Sequence, residues 1–504
     1  MTIIPVGDYR PDAPAYLGTH ATVATNVYPR PDGSDGPLLA PVVVAGGISD
    51  TQQITTAFLA RDGDGAVFMY VGAAETPYIW RKAGALFYNF STNFTTNLPT
   101  IVNPTRFCQF GTRLMAVNKQ QGLWWHTVGS FDAFTSLTAA PKADYIATVE
   151  PGFVVLGNIN DGTLRSAGLR WSALNDGTDW PVVGTSDAAS KQSDDQDLPN
   201  GGAVMGILPA VGGAAAVVFT ERSIYRMEYV GAPAVFAFRE TVRGQGCLCK
   251  NASIAINGVA YFISEQGFHR FDGQTVTPIG IGRVSRTFLD TVNREYLHKV
   301  SVAHDPNRKI IIWGSPVTSQ GAPIRRWWIY SYATDRWRFS DDAAVDDFAI
   351  LVADAATDAI PMDQLDALYP SGMDSIDVSM DGATLNGGTP LLAGVTMDND
   401  YCTFTGATLA ALVETGETDS NGRRVFVTGI RPLTDAEAPT AALGYREAFN
   451  TAVAYTSLTS QEVTGICAQR TSTRYARARI YIPAGDVWSY LQGADVIVQP
   501  AGKR

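Results

Sequence analysis

Val259-Ala-Tyr-Phe-Ile263, followed after Ser-Glu-Gln by Gly267-Phe-His-Arg-Phe271, is the stretch on which the fold turns. Two runs of β-branched and aromatic residues, separated by a short polar link and opened again by glycine, read as a tight antiparallel hairpin. The same design recurs at Val67-Phe-Met-Tyr-Val71, Leu114-Met-Ala-Val117, Phe153-Val-Val-Leu156, Ala216-Val-Val-Phe219 and Lys309-Ile-Ile-Ile-Trp313. Each copy has a partner run, as in Tyr78-Ile-Trp80, Leu123-Trp-Trp125, Leu169-Arg-Trp171, Ser223-Ile-Tyr-Arg-Met227 and Trp327-Trp-Ile-Tyr330. A further strand candidate often follows, for example Phe236-Ala-Phe238 or Arg336-Trp-Arg-Phe339. The copies are spaced by roughly 40 to 65 residues, the length of a four-stranded propeller blade with insertions. A single blade leaves both faces wet, and stacking blades in a ring buries them. The expectation is an all-β chain with a β-propeller of about six blades, seven remaining open. Asp347-Phe-Ala-Ile-Leu-Val-Ala353 is expected to complete the blade that begins near Gln53-Ile-Thr-Thr-Ala57. A string of β-sandwiches is the competing arrangement.

Outward from this repeat lie two further pieces. Residues 1–48 carry Pro5, Pro11, Pro14, Pro29, Pro31, Pro37 and Pro41 and read as an extended N-terminal arm packed on something else. The propeller is expected over 49–355. Residues 356–504 open with the polar Ile360-Pro-Met-Asp-Gln-Leu-Asp366 and then alternate, as in Arg423-Arg-Val-Phe-Val-Thr-Gly-Ile430 and Tyr475-Ala-Arg-Ala-Arg-Ile-Tyr-Ile482. That period of two places apolar and polar residues on opposite faces of a C-terminal β-domain suited to docking.

Composition narrows the function. With 45% hydrophobic and 17% charged residues among 504, the chain can bury a sizeable core and is not globally disordered. A net charge of −11 argues against a nucleic-acid coat, which needs a basic face to neutralise phosphates. Five scattered cysteines provide no disulfide framework, and Cys247-Leu-Cys249 lacks the spacer of a zinc or redox pair. A reducing compartment is expected. No leader pattern follows Met1, and no membrane insertion is expected. The uncharged stretch from Gly202 to Thr220 contains Pro209 and several glycines, so it reads as two buried strands and a turn.

Catalytic patterns are hard to find. The five histidines, His20, His126, His269, His298 and His304, show no metal-ligand spacing, and neither a nucleophile elbow nor a phosphate loop is present. No catalytic, cofactor-binding or metal residue is assigned. Ser172-Ala-Leu-Asn-Asp-Gly-Thr-Asp-Trp180 superficially resembles the Asp-box turn of sialidase-like propellers, where the motif is structural. A sialidase site would need three converging arginines, and Arg165, Arg170, Arg226, Arg239 and Arg270 are not brought together by sequence. Two charged features remain. Arg423, Arg424, Arg474, Arg477 and Arg479 read either as a solvated face or as a subunit interface. The acidic insertion bearing Asp187, Asp194, Asp195 and Asp197 reads as a solvated loop, or as a lumen or subunit-contact element.

The order of motifs in the middle of the chain resembles a known family. Gly168-Leu-Arg-Trp-Ser-Ala-Leu-Asn-Asp-Gly-Thr-Asp-Trp180 and Gln196-Asp-Leu-Pro-Asn-Gly-Gly202 come first. They are followed by Val218-Phe-Thr-Glu-Arg-Ser-Ile-Tyr-Arg-Met-Glu-Tyr-Val-Gly231, Tyr261–Gly273 and Val300–Trp313. Together these resemble the tail nozzle or tail hub proteins of tailed phages (podophages), of the packaged-DNA stabilisation type. The resemblance spans roughly residues 140 to 340, more faintly 400 to 500, and does not extend to 1–48. It implies a structural virion protein that is not an enzyme: a propeller subunit in a homohexameric ring below the portal and adaptor. Such a ring lines and closes the DNA exit channel and docks tail fibres or spikes. The partners implied are copies of itself, the adaptor, fibre or spike proteins, and genomic DNA passing without sequence-specific contact. Assembly would occur in the host cytoplasm and the final location would be the phage tail. A sialidase-like or glycan-binding propeller is the alternative, with a receptor-binding adhesin behind it.

Overall fold

The computed structural model describes residues 2–14, 18–46, 53–73, 79–83, 86–89, 104–319, 321–341, 347–353, 355–357, 388–419 and 423–500. Among these the chain is all-β, built from many small antiparallel sheets in an arrangement compatible with a propeller-like fold.

Five sheets are separate four-stranded meanders. The first runs Ile54–Arg61, Val67–Ala73, Ile79–Ala83 and Leu86–Asn89; the second Arg106–Phe110, Arg113–Asn118, Gly122–Thr127 and Thr135–Leu137. The third runs Lys142–Val149, Phe153–Asn160, Leu164–Trp171 and Asp195–Asp197; the fourth Val204–Pro209, Ala216–Thr220, Ser223–Gly231 and Val235–Arg243. The fifth comprises Ile254–Ile256, Val259–Ser264, Gly267–Phe271 and Val276–Pro278. Two further four-stranded sets belong to a larger hydrogen-bonded network. The sixth is Ser301–Asp305, Ile310–Pro316, Ile324–Ser331 and Arg336–Ser340; the seventh is Phe348–Val352, Ala393–Thr396, Tyr401–Thr403 and, from the N-terminus, Val42–Ala45.

The recurrent runs read from sequence are the second and third strands of these sheets. They stand out because the second strand lies between two neighbours with both faces covered: Ala216–Thr220 and Ile310–Pro316 are buried at every position. Turn chemistry sets the hairpins. Asn257 and Gly258 both have positive φ (51° and 78°), the two-residue turn whose twist matches the flanking strands. Where the fourth and fifth sheets meet, a side chain at Gly212 would stand 2.3 Å from the Asp272 carbonyl oxygen, so only glycine fits.

Apolar layers fill the space between consecutive sheets. Ala60, Tyr70, Leu114 and Trp124 join the first and second; Met115, Val117, Val154 and Leu156 join the second and third. Phe153 and Trp171 meet Val218 and Phe236 between the third and fourth, and Phe219 packs at a tilt against Phe262 between the fourth and fifth. Another layer packs Met69, Val71 and Trp80 of the first sheet against Ile350, Val352, Val395 and Tyr401 of the seventh.

Two expectations change here. Phe348–Val352 does not complete the first sheet by hydrogen bonding; it pairs with Ala393–Thr396 and, at Phe348, with Ile324 of the sixth set. The boundaries expected at 48 and 355 therefore cut through one sheet, since strands from 42–45 and 393–403 lie beside 348–352. The physical reason is that Phe348, Ile350 and Leu351 have apolar faces to cover, and the strands that cover them are distant in sequence. The polar stretch Ile360–Asp366 lies outside the described residues.

The C-terminal strands form two packed sheets. One contains Thr2–Pro5, Asp35–Pro37, Leu491–Pro500, Val425–Thr434 and Cys467–Thr473; the other contains Thr440–Arg446, Tyr475–Ile482, Ala411–Glu414 and Val23–Thr25. Val427, Ile430, Leu443, Ile480, Leu491 and Val496 share the core between them. Thr25 pairs with Phe339 on the outer strand of the sixth sheet, which makes the second of these sheets continuous with the propeller-like part.

The N-terminal arm is thus woven into its own chain. Asp8 accepts from the Trp337 amide at 2.6 Å, and Asp12 accepts from the Arg286 and Thr287 amides at 2.8 and 2.9 Å. Asp12 thereby caps the helix Ser285–Thr291, whose own N-cap, Val284, offers no side-chain acceptor. Asp35 forms a fork with Arg338, with Nε–Oδ1 at 2.8 Å and Nη2–Oδ2 at 3.0 Å, both side chains fully buried.

Candidate functional site: the central cavity

The first strands of the sheets converge on one cavity of about 290 Å³. Thr56 comes from the first sheet, Arg106 from the second, Tyr145 from the third and Ile207 from the fourth. Lys250 and Ser253 lead into the fifth, while Ser301 and Ile350 come from the sixth and seventh. Bulky side chains such as Phe58, Phe107, Ile146 and Leu208 share this wall with Thr55, Thr56, Ser253 and Ser301. The volume falls at the low end for a small-molecule pocket.

Two of the lining residues carry charge, Arg106 and Lys250. Lys250 Nζ lies 3.2 Å from Asp144 Oδ2, and the Asp144 side chain is fully buried. Asn158 Nδ2 donates to the same oxygen at 3.4 Å, and Lys119 Nζ donates to Asn158 Oδ1 at 2.9 Å. Arg106 stacks over the Tyr145 ring at 4.4 Å and reaches the Lys250 carbonyl oxygen at 3.5 Å. These contacts join the second and third sheets to the segment entering the fifth, passing over the fourth. A smaller chamber of about 40 Å³ adjoins, sharing Thr55, Lys250, Asn251 and Ile350 and adding Gln53, His298 and Lys299.

Burial moves the titrations. Lys299 is held below its ordinary value by burial alone. Burial also lowers His298, and the nearby Lys299 and Lys250 ammoniums push it further the same way. Lys119 is lowered by burial, with Asp144 opposing. The Tyr145 hydroxyl is raised, chiefly by burial, with Arg106 pulling back. All five cysteines are free and buried, and the Cys108 and Cys247 thiols are pushed up to about 12 by burial, so neither is a thiolate at neutral pH.

The residues singled out in sequence lie elsewhere. Arg477 is 5% exposed and sits inside a network within one chain: Nη1 meets Glu414 Oε1 at 2.8 Å and Nη2 meets Glu417 Oε2 at 3.2 Å. Arg479 Nε donates to Glu414 Oε2 at 2.8 Å, and its guanidinium covers the Tyr455 ring at 3.6 Å. Arg446 closes the other side of Glu417 at 2.6 Å. The interface expectation is therefore corrected for Arg477, which is buried and engaged by Glu414 and Glu417; Arg479 pairs with Glu414 and keeps 28% of its side chain exposed. Arg424 Nε lies 3.0 Å from Glu447, and Arg474 Nε lies 3.9 Å from the same carboxylate. Arg423 is exposed.

The acidic insertion forms a short helix, Ser186–Lys191, and the outermost strand of the third sheet, Asp195–Asp197. Asp187 pairs with Lys191 at 3.1 Å, and Asp194 accepts from the Asp195 amide at 2.9 Å. Arg165 gathers Asp161, Asp195 and Asp197 around one guanidinium. These acids therefore lie at the sheet edge away from the cavity, with much of their charge matched. The Asp176–Trp180 turn is structural: Asp176 accepts from the Thr178 amide at 2.9 Å, and Trp180 Nε1 donates to the Gly177 carbonyl at 2.9 Å. Of the arginines a sialidase site would need, Arg165 holds aspartates, Arg170 donates to the Pro181 carbonyl and Arg226 to the Gly273 carbonyl. Among the described residues no group of three or more His, Cys, Asp or Glu is placed to hold a metal ion. No described helix is long and apolar enough to cross a membrane.

Sequence reasoning missed Arg106, Asp144 and Lys250. The one available signal was Asp144 inside the apolar run Ala143-Asp-Tyr-Ile-Ala147, where an acid must find a partner or lose its charge.

No protein-family profile matches the chain. No curated protein matches it either. Among solved structures, a protein of unknown function from Desulfotomaculum acetoxidans aligns with 60% of this chain and 89% of its own, at 12% identity and a TM-score of 0.35. A protein from Lactobacillus plantarum aligns with 63% of this chain and 89% of its own, at 13% identity and a TM-score of 0.37.

Proposed function

We propose that this chain is a structural virion protein, a subunit of a tail nozzle or hub ring in a tailed phage, and that its central part is a seven-bladed propeller. The blade reading draws support from the apolar layer between the seventh and first sheets and from the cavity ringed by first strands. The observation that carries the structural role is the arm. The strands at 2–5, 23–25 and 42–45 bond to the C-terminal sheets, to the sixth sheet and to the seventh, tying the parts into a unit suited to transmitting force. The ordered resemblance of motifs across residues 140–340 gives the class.

Mechanistically, DNA would pass between subunits. A cavity of about 290 Å³, with Arg106 and Lys250 on its wall, has no room for a duplex. A ring of copies each carrying −11 would repel phosphates and let DNA slide. Adaptor and fibre proteins would dock on outer surfaces, and exposed Arg423 is a candidate contact. The test is the mass and shape of the purified particle. Assembly near six times 54.1 kDa with a central channel in negative stain is expected. A strictly monomeric protein at all concentrations, with turnover of a fluorogenic glycoside, would overturn the reading in favour of a carbohydrate-active propeller.

A further inference from the structure

The chamber beside the central cavity has an unbalanced lining. Lys250 and Lys299 both line it, with His298 between them in character, and no carboxylate does so among the described residues. Lys250 has one partner, Asp144, which belongs to the third sheet and does not line the chamber. Lys299 has no carboxylate partner among the described residues; its ammonium lies 5.9 Å from the Tyr296 ring. Two ammonium groups half-withdrawn from water with one matching carboxylate is an arrangement that folding alone does not favour, because each such charge loses hydration. Thr55 and Gln53 line the same wall, and Asn251 donates its amide to the His298 carbonyl at 3.0 Å, fixing the loop that carries His298 and Lys299. A chamber of 40 Å³ holds about three waters, or one tetrahedral ion in their place.

We propose that this chamber is a binding site for a small tetrahedral oxyanion of the phosphate class, clasped between Lys250 and Lys299. The bound anion neutralises both ammoniums, each a compact charge suited to oxyanions. It also bridges the segment entering the fifth sheet to the one entering the sixth. The adjoining 290 Å³ cavity has space for a small organic body when the phosphate is esterified.

Isothermal titration of the full chain with inorganic phosphate, sulfate and glycerol 3-phosphate, at ionic strength held constant with chloride, tests this. Saturable one-site binding is expected, and Lys299→Gln is expected to weaken it at least about tenfold, the loss of one charge-assisted contact. Lys250→Gln should weaken it further; since that variant strands Asp144, Lys299→Gln and ³¹P line broadening on the parent decide the matter should it fail to fold. Tighter binding of glycerol 3-phosphate than of phosphate identifies an ester as the ligand, and equal binding identifies the free ion. Heat indistinguishable from that of chloride, or unchanged affinity in Lys299→Gln, would overturn the assignment.

Discussion

Replacing Asp35 by alanine is the sharpest probe of the arm's role. Asp35 and Arg338 are both fully buried and meet in a two-bond fork at 2.8 and 3.0 Å, and Arg338 Nη1 donates to the Trp337 carbonyl at 2.7 Å. Burial pushes the Asp35 carboxyl above its ordinary range, with Arg338 pulling it back. The pair as a whole therefore adds little net stability, but breaking it leaves an isolated guanidinium away from water, which costs about 3–5 kcal/mol. With a urea slope of about 3 kcal/mol per molar, the first transition should move down by more than about 1 M. The assay is urea unfolding followed by tryptophan fluorescence, since Trp313, Trp328 and Trp337 pack in the core beside this pair. Limited proteolysis should cut residues 2–45 in Asp35→Ala well below the denaturant needed for the parent. The double variant Asp35→Leu with Arg338→Met removes both charges and should recover most of the loss. A midpoint within about 0.3 M of the parent in Asp35→Ala, or a double variant as weak as the single, would refute the idea that this pair fastens the arm.

Three other outcomes follow from the same geometry. Glu414→Gln should lower stability by about 3 kcal/mol in chemical denaturation, because Glu414 serves Arg477, Arg479, Thr22 and Tyr455 at once. Arg477→Glu should therefore destabilise the monomer itself, whereas Arg423→Glu should leave its thermal midpoint unchanged and alter only assembly measured by sedimentation. His126 is buried against Phe134 and Tyr70, and burial, aided by Arg81, lowers it to about 4. The unfolded chain takes up that proton near 6.5, so His126's contribution is complete above about pH 6.5 and falls by up to about 3 kcal/mol as pH drops toward 4. His20, His269 and His298 are lowered too and act in the same direction, so denaturation midpoints at pH 7, 6 and 5 should decline, less steeply in His126→Gln. An identical pH slope in His126→Gln would contradict the assignment.

Strand content and hairpin rhythm were legible in the sequence because they are local. A fully covered second strand such as Ile310–Pro316 must be apolar at successive positions, and a turn such as Asn257-Gly258 must tolerate positive φ, whatever the rest of the chain does. The seventh sheet was not legible, since it gathers Val42–Ala45, Phe348–Val352 and Ala393–Thr403 from three distant stretches. Arg477 and Arg479 showed the alternation of a strand but not their partners, because Glu414 and Glu417 reach them only when the strands at 411–414 and 475–482 pair. Asp144 and Lys250, 106 residues apart, carry no mark of each other until the first strands meet. What sequence alone determines here is set by contacts within one hairpin. Which sheet closes on which, where the arm is held and where charge collects depend on long-range packing, where a residue's partner is chosen by the whole chain.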